Sequence, residues 1–241
     1  MSPIQTVSLS LFRFDRWYDR LWALAQMGAA RFSLPRTQDI GFWKLCGSGT
    51  GEGFTPLPNT AVYGILATWP SYDIAQDRVA NAPVWMRYRA HSSEDWTVFL
   101  ATTSARGAWS GQTPFEPVAE RKPGPLAALT RATVKPSAAL KFWKHEPAIS
   151  AMIGKDPNVV FKIGIGEIPL MQQVTFSIWP DANSMANFAR RGGPHAAAIK
   201  DVRDRNLFAE ELYARFDVLG DAGLWNGASP LSALKDGKRP L

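Results

Sequence analysis

Cysteine is nearly missing. Cys46 stands alone among 241 residues, so no intramolecular disulfide can form. A reducing, cytoplasmic setting is the expectation. Histidine is scarce too, with only His91, His145 and His195. Three scattered histidines cannot build a three-histidine zinc site or a facial-triad iron site without carboxylate help. Long hydrophobic runs are absent. The longest apolar-rich stretch, Ala61–Trp69, falls well short of the ~20 residues a membrane helix needs. The opening Met-Ser-Pro-Ile-Gln runs directly into strand-like alternation, so no signal peptide is expected. No zinc-knuckle, KH or RNP-type motif is present. The formal charge of +6 and pI of about 9.6 come from scattered residues and short clusters at Arg121-Lys122, Arg190-Arg191 and Lys235–Arg239. These read as solvated surface rather than a nucleic-acid footprint. An anionic membrane surface or an acidic protein remains compatible with that charge. Hydrolase chemistry is poorly supported as well. No G-x-S-x-G elbow occurs, Cys46 lies on a strand without an obvious partner, and Glu210-Glu211 reads as a solvated stretch.

What is present is apolar and aromatic. Hydrophobic residues make up 46% and charged residues 20%, which excludes disorder as the default. Ten Trp and thirteen Phe suit either a wide apolar pocket or a thick core.

The chain reads as one unit written twice. Trp69-Pro70 follows the run Ala61–Thr68, and Trp179-Pro180 follows Val174–Ile178. Pro83 and Pro194 recur at matching places in the helical stretch behind each. Gly107-Ala-Trp109-Ser-Gly111 is echoed by Gly223-Leu-Trp225-Asn-Gly227, and Phe42-Trp43-Lys44-Leu45 by Val160-Phe161-Lys162-Ile163. Alternation predicts strands at Thr6–Phe14, Gly41–Gly47, Ala61–Trp69 and Thr97–Thr103, then at Leu126–Val134, Val159–Gly166, Gln173–Trp179 and Leu212–Leu219. Helices are predicted over Tyr18–Arg31 and Ala138–Ile153, with a second helix in each copy starting near Asp73 or Asp181. The order β-α-β-β-α-β is ferredoxin-like. The fold class is therefore α+β: tandem ferredoxin-like halves packing sheet on sheet as an intrachain version of a dimeric α/β barrel. The organisation follows as residues 1–111, a proline-rich linker at 112–125, a second half at 126–227 and a loosely ordered tail at 228–241.

The copies are informative where they diverge. The glycine-rich stretch Gly47–Gly53 sits only in the first, and no helix follows it, so a flexible or pocket-lining loop fits better than a phosphate cradle. Pro83 is followed by Val84, but Pro194 by His195, just inside a helix start where the dipole disfavours imidazolium. A neutral His195 beside Ala196, Ala197 and Ala198 could ligate a metal in a flat cofactor; it could equally be a surface histidine of a first helical turn. One protein histidine is enough for haem, whose macrocycle supplies four ligands and needs only one axial residue from the protein. Arg190 and Arg191 could pair with haem propionates or form a solvated pair at a helix end. Trp43, Phe161 and Trp179, on the repeated strands, either line an apolar substrate cavity or pack the core. His91 reads as a solvated helix-end residue and His145 as part of a polar helix face.

The strings Phe42-Trp43-Lys44-Leu45, Gly47-Ser-Gly-Thr-Gly-Glu-Gly-Phe-Thr-Pro56, Trp96-Thr-Val-Phe99, Thr103-Ser-Ala-Arg-Gly107, Ala128-Leu-Thr-Arg-Ala132, Thr175–Asp181, Gly193-Pro-His195 and Glu210–Phe216 resemble the spheroidene monooxygenase family, the acyclic carotenoid 2-ketolases of purple phototrophic bacteria. The resemblance spans about Thr6 to Gly227. It implies an oxygen-dependent enzyme of carotenoid biosynthesis that places a keto group at C-2 of acyclic carotenoids by two successive hydroxylations. It also implies haem (iron) as cofactor and reduced ferredoxin as electron source. Peripheral contact with the photosynthetic membrane would bring such an enzyme to its substrate. A haem or carotenoid carrier without turnover, and a haem dehydratase or peroxidase on the same barrel, are the competing readings.

Overall fold

The computed structural model describes residues 4–50, 57–118, 123–138, 158–190 and 207–235. Eight strands carry the architecture. They are β1 (Thr6–Arg13), β2 (Trp43–Gly49), β3 (Pro58–Trp69), β4 (Glu94–Gly107), β5 (Leu126–Val134), β6 (Phe161–Gly166), β7 (Gln172–Trp179) and β8 (Phe208–Gly223). They close into an antiparallel barrel in the order β1-β3-β2-β6-β7-β5-β8-β4. The first four strands stand together as β4-β1-β3-β2 and the last four as β8-β5-β7-β6. Two seams join them. β4 pairs with β8 over most of its length, and β2 meets β6 through Gly47↔Gly166 and Ser48↔Ile165. The glycine-rich stretch therefore begins as strand: Gly47–Gly49 extend β2 and close the barrel, while 51–56 lie outside the described residues.

Period-two alternation sorts the side chains. Val7, Leu9, Leu11, Val98, Leu129, Phe176, Ile178 and Phe216 point inward and are at most 1% exposed. The barrel is thus filled by side chains rather than open. Cys46 sits in this core. The outer face of the first four strands is covered by α1 (Trp17–Ser33), α2 (Tyr72–Asn81) and α3 (Pro83–His91). Pro83 splits what the sequence suggests as one helix, because its ring cannot continue the preceding turn. Ser71, rather than Asp73, caps α2 by accepting the Ile74 N–H. Asp181 does cap its helix, α4 (Ala182–Arg190), through the Ser184 N–H at 2.7 Å. The helix expected over Ala138–Ile153 falls almost wholly outside the described residues.

Each Gly-x-Trp-x-Gly motif is a turn closed by a β-bridge, Trp109↔Gln112 and Trp225↔Ala228. The leading glycines have positive φ, and a Cβ at Gly107 would stand 2.1 Å from the Glu211 carbonyl oxygen, one at Gly223 2.2 Å from that of Asp95. In the 112–125 segment Phe115 is buried against Phe42 and Phe216. Past Gly227, Leu231 is buried in the barrel core.

Candidate functional site

The strand registers align the two sets of four. Ser10, on central strand β1, pairs with Ile65 and Thr97; Thr130, on central strand β5, pairs with Thr175 and Tyr213. Two rows flank each of these. Ala67–Ser8–Phe99 and Tyr63–Phe12–Asp95 correspond to Ser177–Ala128–Arg215 and Gln173–Ala132–Glu211. All of these residues lie on the outer faces.

The two outer faces differ in kind. On the first, Phe12, Phe14, Tyr63, Ile65, Phe99, Trp85 and Tyr88 form a dry aromatic layer under the helices. Ser8 and Ser10 are wholly buried, and each accepts an indole N–H, from Trp69 at 2.8 Å and Trp85 at 2.9 Å. On the second, Phe12 gives way to Ala132, Tyr63 to Gln173, Ile65 to Thr175 and Phe99 to Arg215. Thr130 is exposed although it lies on a central strand. Gln173 is buried, and its Nε2 has no hydrogen-bond partner among the described residues. A buried donor left unpaired is costly, so it marks a place where another group belongs. Trp179 borders this face, donating to Ser177 Oγ at 3.0 Å and packing on Phe188 of α4. This face is polar, although Tyr213 stands where the first has Thr97, and with its exposed guanidinium it can take a large planar group with an anionic edge.

Trp43, Phe161 and Trp179 do not share a surface. Trp43 packs in the first half's outer layer, Trp179 on the second half's outer face, and Phe161 inside the barrel against Trp96 at 4.6 Å. Trp43 and Phe161 are close in the aligned motifs, yet Trp43 pairs with outward Ala67 and Phe161 with inward Ile178. A one-residue difference in register exchanges the faces. His195, Arg191 and His145 lie outside the described residues, and Arg190 is the last residue of α4. His91 is not simply solvated: its ring stacks on Trp22 at 4.0 Å, and its Nδ1 meets Asp19 Oδ1 at 2.8 Å. No group of three potential metal-ligating side chains gathers among the described residues.

A second polar cluster plugs one end of the barrel. Lys44 Nζ meets Glu167 Oε1 at 3.0 Å and donates to Ser110 Oγ at 2.6 Å, while Trp109 Nε1 donates to Glu167 Oε2 at 2.6 Å. Arg131 is 1% exposed, pairs with Glu210 and lies over the Trp109 ring. Glu210 is therefore not part of a solvated stretch. Partial burial pushes its carboxyl pKa up, but the N–H groups of Gly111 and Ser110 and the charge of Arg131 outweigh this and hold it below its ordinary value. These carboxylates are committed to structural partners and are poor candidates for proton transfer. Burial drives the Cys46 thiol strongly upward, so thiolate chemistry is unsuited to it.

Sequence reasoning missed Gln173, Thr130 and Arg215. Gln173 and Arg215 stand where the first four strands have the rings of Tyr63 and Phe99, and exposed Thr130 where they have buried Ser10, a contrast that emerges only once strand partners are known.

No protein-family model matches the chain. A spheroidene monooxygenase of Cereibacter sphaeroides is 54% identical over 233 residues, covering 95% of this chain and 71% of that protein. One of Rhodobacter capsulatus is 52% identical over 229 residues, covering 94% of this chain and 95% of its own length. A third, of Rubrivivax gelatinosus, is 32% identical over 213 residues, covering 86% and 80%. Among solved structures, aldoxime dehydratase in complex with butyraldoxime superposes with a TM-score of 0.61 at 9% identity, covering 96% of this chain and 86% of that one. At that identity the likeness speaks to the fold.

Proposed function

This chain belongs to the spheroidene monooxygenase family, and from that premise we propose that it is a haem-dependent carotenoid monooxygenase whose cofactor lies on the outer face of the second four strands. The reaction would place a keto group at C-2 of an acyclic carotenoid by two successive hydroxylations, with dioxygen as oxidant and reduced ferredoxin supplying electrons. One observation carries the placement: Ala132, Gln173, Thr175 and Arg215 stand where the first half has Phe12, Tyr63, Ile65 and Phe99. The same matched register supports reading the chain as a tandem ferredoxin-like repeat, an intrachain pseudo-dimer in which one copy keeps a solid core and the other holds the ligand.

The residues present fit haem. Arg215 offers a cation to a propionate, with Arg190 and Arg191 as further candidates, and the unpartnered Gln173 Nε2 offers a buried donor. His195 would ligate the iron. Bound haem would supply the dioxygen activation that side chains alone cannot provide. The protein's share is then binding, orientation and exclusion of water. Ala128, Thr130 and Ala132 leave room for a flat ring, and Trp179 with Phe188 provides an apolar border.

The test is an absorption spectrum of protein expressed with haem supply, wild type against His195→Ala, followed by turnover of an acyclic carotenoid under labelled dioxygen. A Soret band lost or shifted in the variant, with label in the ketone, is expected. A wild type that binds pigment but forms no ketone would instead be a carrier, and unlabelled product would point to dehydratase or peroxidase chemistry.

A further inference from the structure

Helix α1 carries apolar side chains on both of its faces. Ala23 and Ala30 are fully buried toward the barrel, and Trp22 and Met27 pack beside them. A helix covering a core ordinarily turns polar residues to water on its other side. Here Trp17, Tyr18, Leu21, Leu24 and Phe32 are 72%, 47%, 57%, 54% and 74% exposed. Trp17, Leu21, Leu24, Gly28 and Phe32 recur at steps of three and four residues, so they form one stripe along the helix, about 25 Å long. Arg16, Arg20, Arg31 and Arg36 flank it, and none forms an ion pair among the described residues. Of the two carboxylates in this segment, Asp19 is buried and paired with His91, leaving Asp15 alone at the surface.

We propose that α1 is a docking helix for an anionic lipid bilayer. Its stripe would enter the boundary between headgroups and acyl chains, with the arginines at phosphate level. No helix among the described residues is long and apolar enough to cross a membrane, so α1 lies on the surface rather than through it. Trp17 and Tyr18 at one end have the amphipathic rings that settle at such a boundary. The stripe fits lipid better than protein. A second copy meeting it two-fold would bring the arginines toward one another. An acidic protein would satisfy the arginines but leave four large apolar side chains against charge.

α1 covers the first half's outer face, on the side of the barrel away from the second half's sheet. The contact is therefore a tether that leaves the proposed haem face uncovered. That the tether brings the enzyme to a hydrocarbon-dissolved substrate rests on the function proposed above; the lipid contact itself does not.

Flotation with vesicles tests it, comparing equal parts phosphatidylglycerol and phosphatidylcholine with phosphatidylcholine alone. The wild-type chain is expected to float with the anionic vesicles and to release as salt rises. Leu21→Glu with Leu24→Glu should cut binding about tenfold or more. Arg16→Glu with Arg31→Glu should abolish the preference for phosphatidylglycerol. Both variants should keep the wild-type melting temperature, because every changed side chain is exposed. Absence of wild-type flotation, or equal flotation of the leucine variant, overturns the proposal. So does a wild-type dimer in sedimentation velocity that the leucine variant dissociates, which assigns the face to a second copy. Loss of binding to an acidic redox protein with vesicle binding intact assigns it to a protein partner. If the vesicle results come out as expected but no carotenoid is oxidised, docking stands and the proposed reaction fails.

Discussion

Glu94 and Glu210 perform the same task at opposite ends of the barrel. Glu94 accepts the Asn226 and Gly227 N–H groups at 3.1 and 2.6 Å, and Glu210 accepts those of Ser110 and Gly111 at 3.0 and 2.7 Å. Each carboxylate also meets an arginine, Arg13 or Arg131. Each half thus holds the closing turn of the other.

The two arginines differ in burial, and this separates the consequences of mutation. The side chain of Arg13 is 27% exposed and that of Arg131 is 1% exposed. Removing Glu210 strands a buried guanidinium, so Glu210→Ala should cost on the order of 3 kcal/mol. Glu94→Ala leaves an arginine that water can reach and should cost about 1 kcal/mol. Urea denaturation of both variants measures the difference.

Glu210 also sets a pH dependence. Its carboxyl pKa is lowered in the folded chain, so its contribution is present above the unfolded value of about 4.3. That contribution is lost as pH falls through the lower folded value. Melting temperatures between about pH 5 and pH 3 should therefore fall more steeply for the wild type than for Glu210→Gln.

Cys46 should be chemically silent. It is wholly buried in the barrel, and burial raises its thiol pKa. Native protein should resist iodoacetamide and react fully after denaturation, as read by mass spectrometry. Cys46→Ala should keep catalytic turnover while losing about 1 kcal/mol of stability. A loss of turnover with stability retained would give Cys46 the chemical role denied to it here.

The contrast between the outer faces can be tested by exchanging their residues. Phe12→Ala opens a cavity in the dry aromatic layer and should cost about 3–5 kcal/mol. Thr130→Phe, at an exposed position, should change stability by less than about 1 kcal/mol. It should nonetheless lower the Soret absorbance per chain, because the ring fills the proposed haem face. An unchanged Soret band in this variant would move the cofactor elsewhere.

Much of the barrel was legible in the residues. Strand alternation located all eight strands, although β4 and β8 run several residues longer at both ends than the pattern suggests. Past Thr103, β4 pairs across the seam, Ala105 with Ala214 and Arg106 with Tyr213, whereas Glu94 pairs with Arg13 of β1 and Glu210 with Thr133 of β5. Glu210-Glu211 looked solvated because a carboxylate's partners on a distant turn leave no trace in its own neighbourhood. Trp43, Phe161 and Trp179 looked alike because each is an aromatic on a repeated strand.

The sequence by itself determined the strands and membership of the family, because these depend on local alternation and on strings of residues. Only the tertiary structure decided where the barrel closes, which aromatics face inward, and which outer face is polar. Alternation defines two faces of a strand, but what covers each face depends on pairing register, and register is set by contacts between segments far apart in the chain.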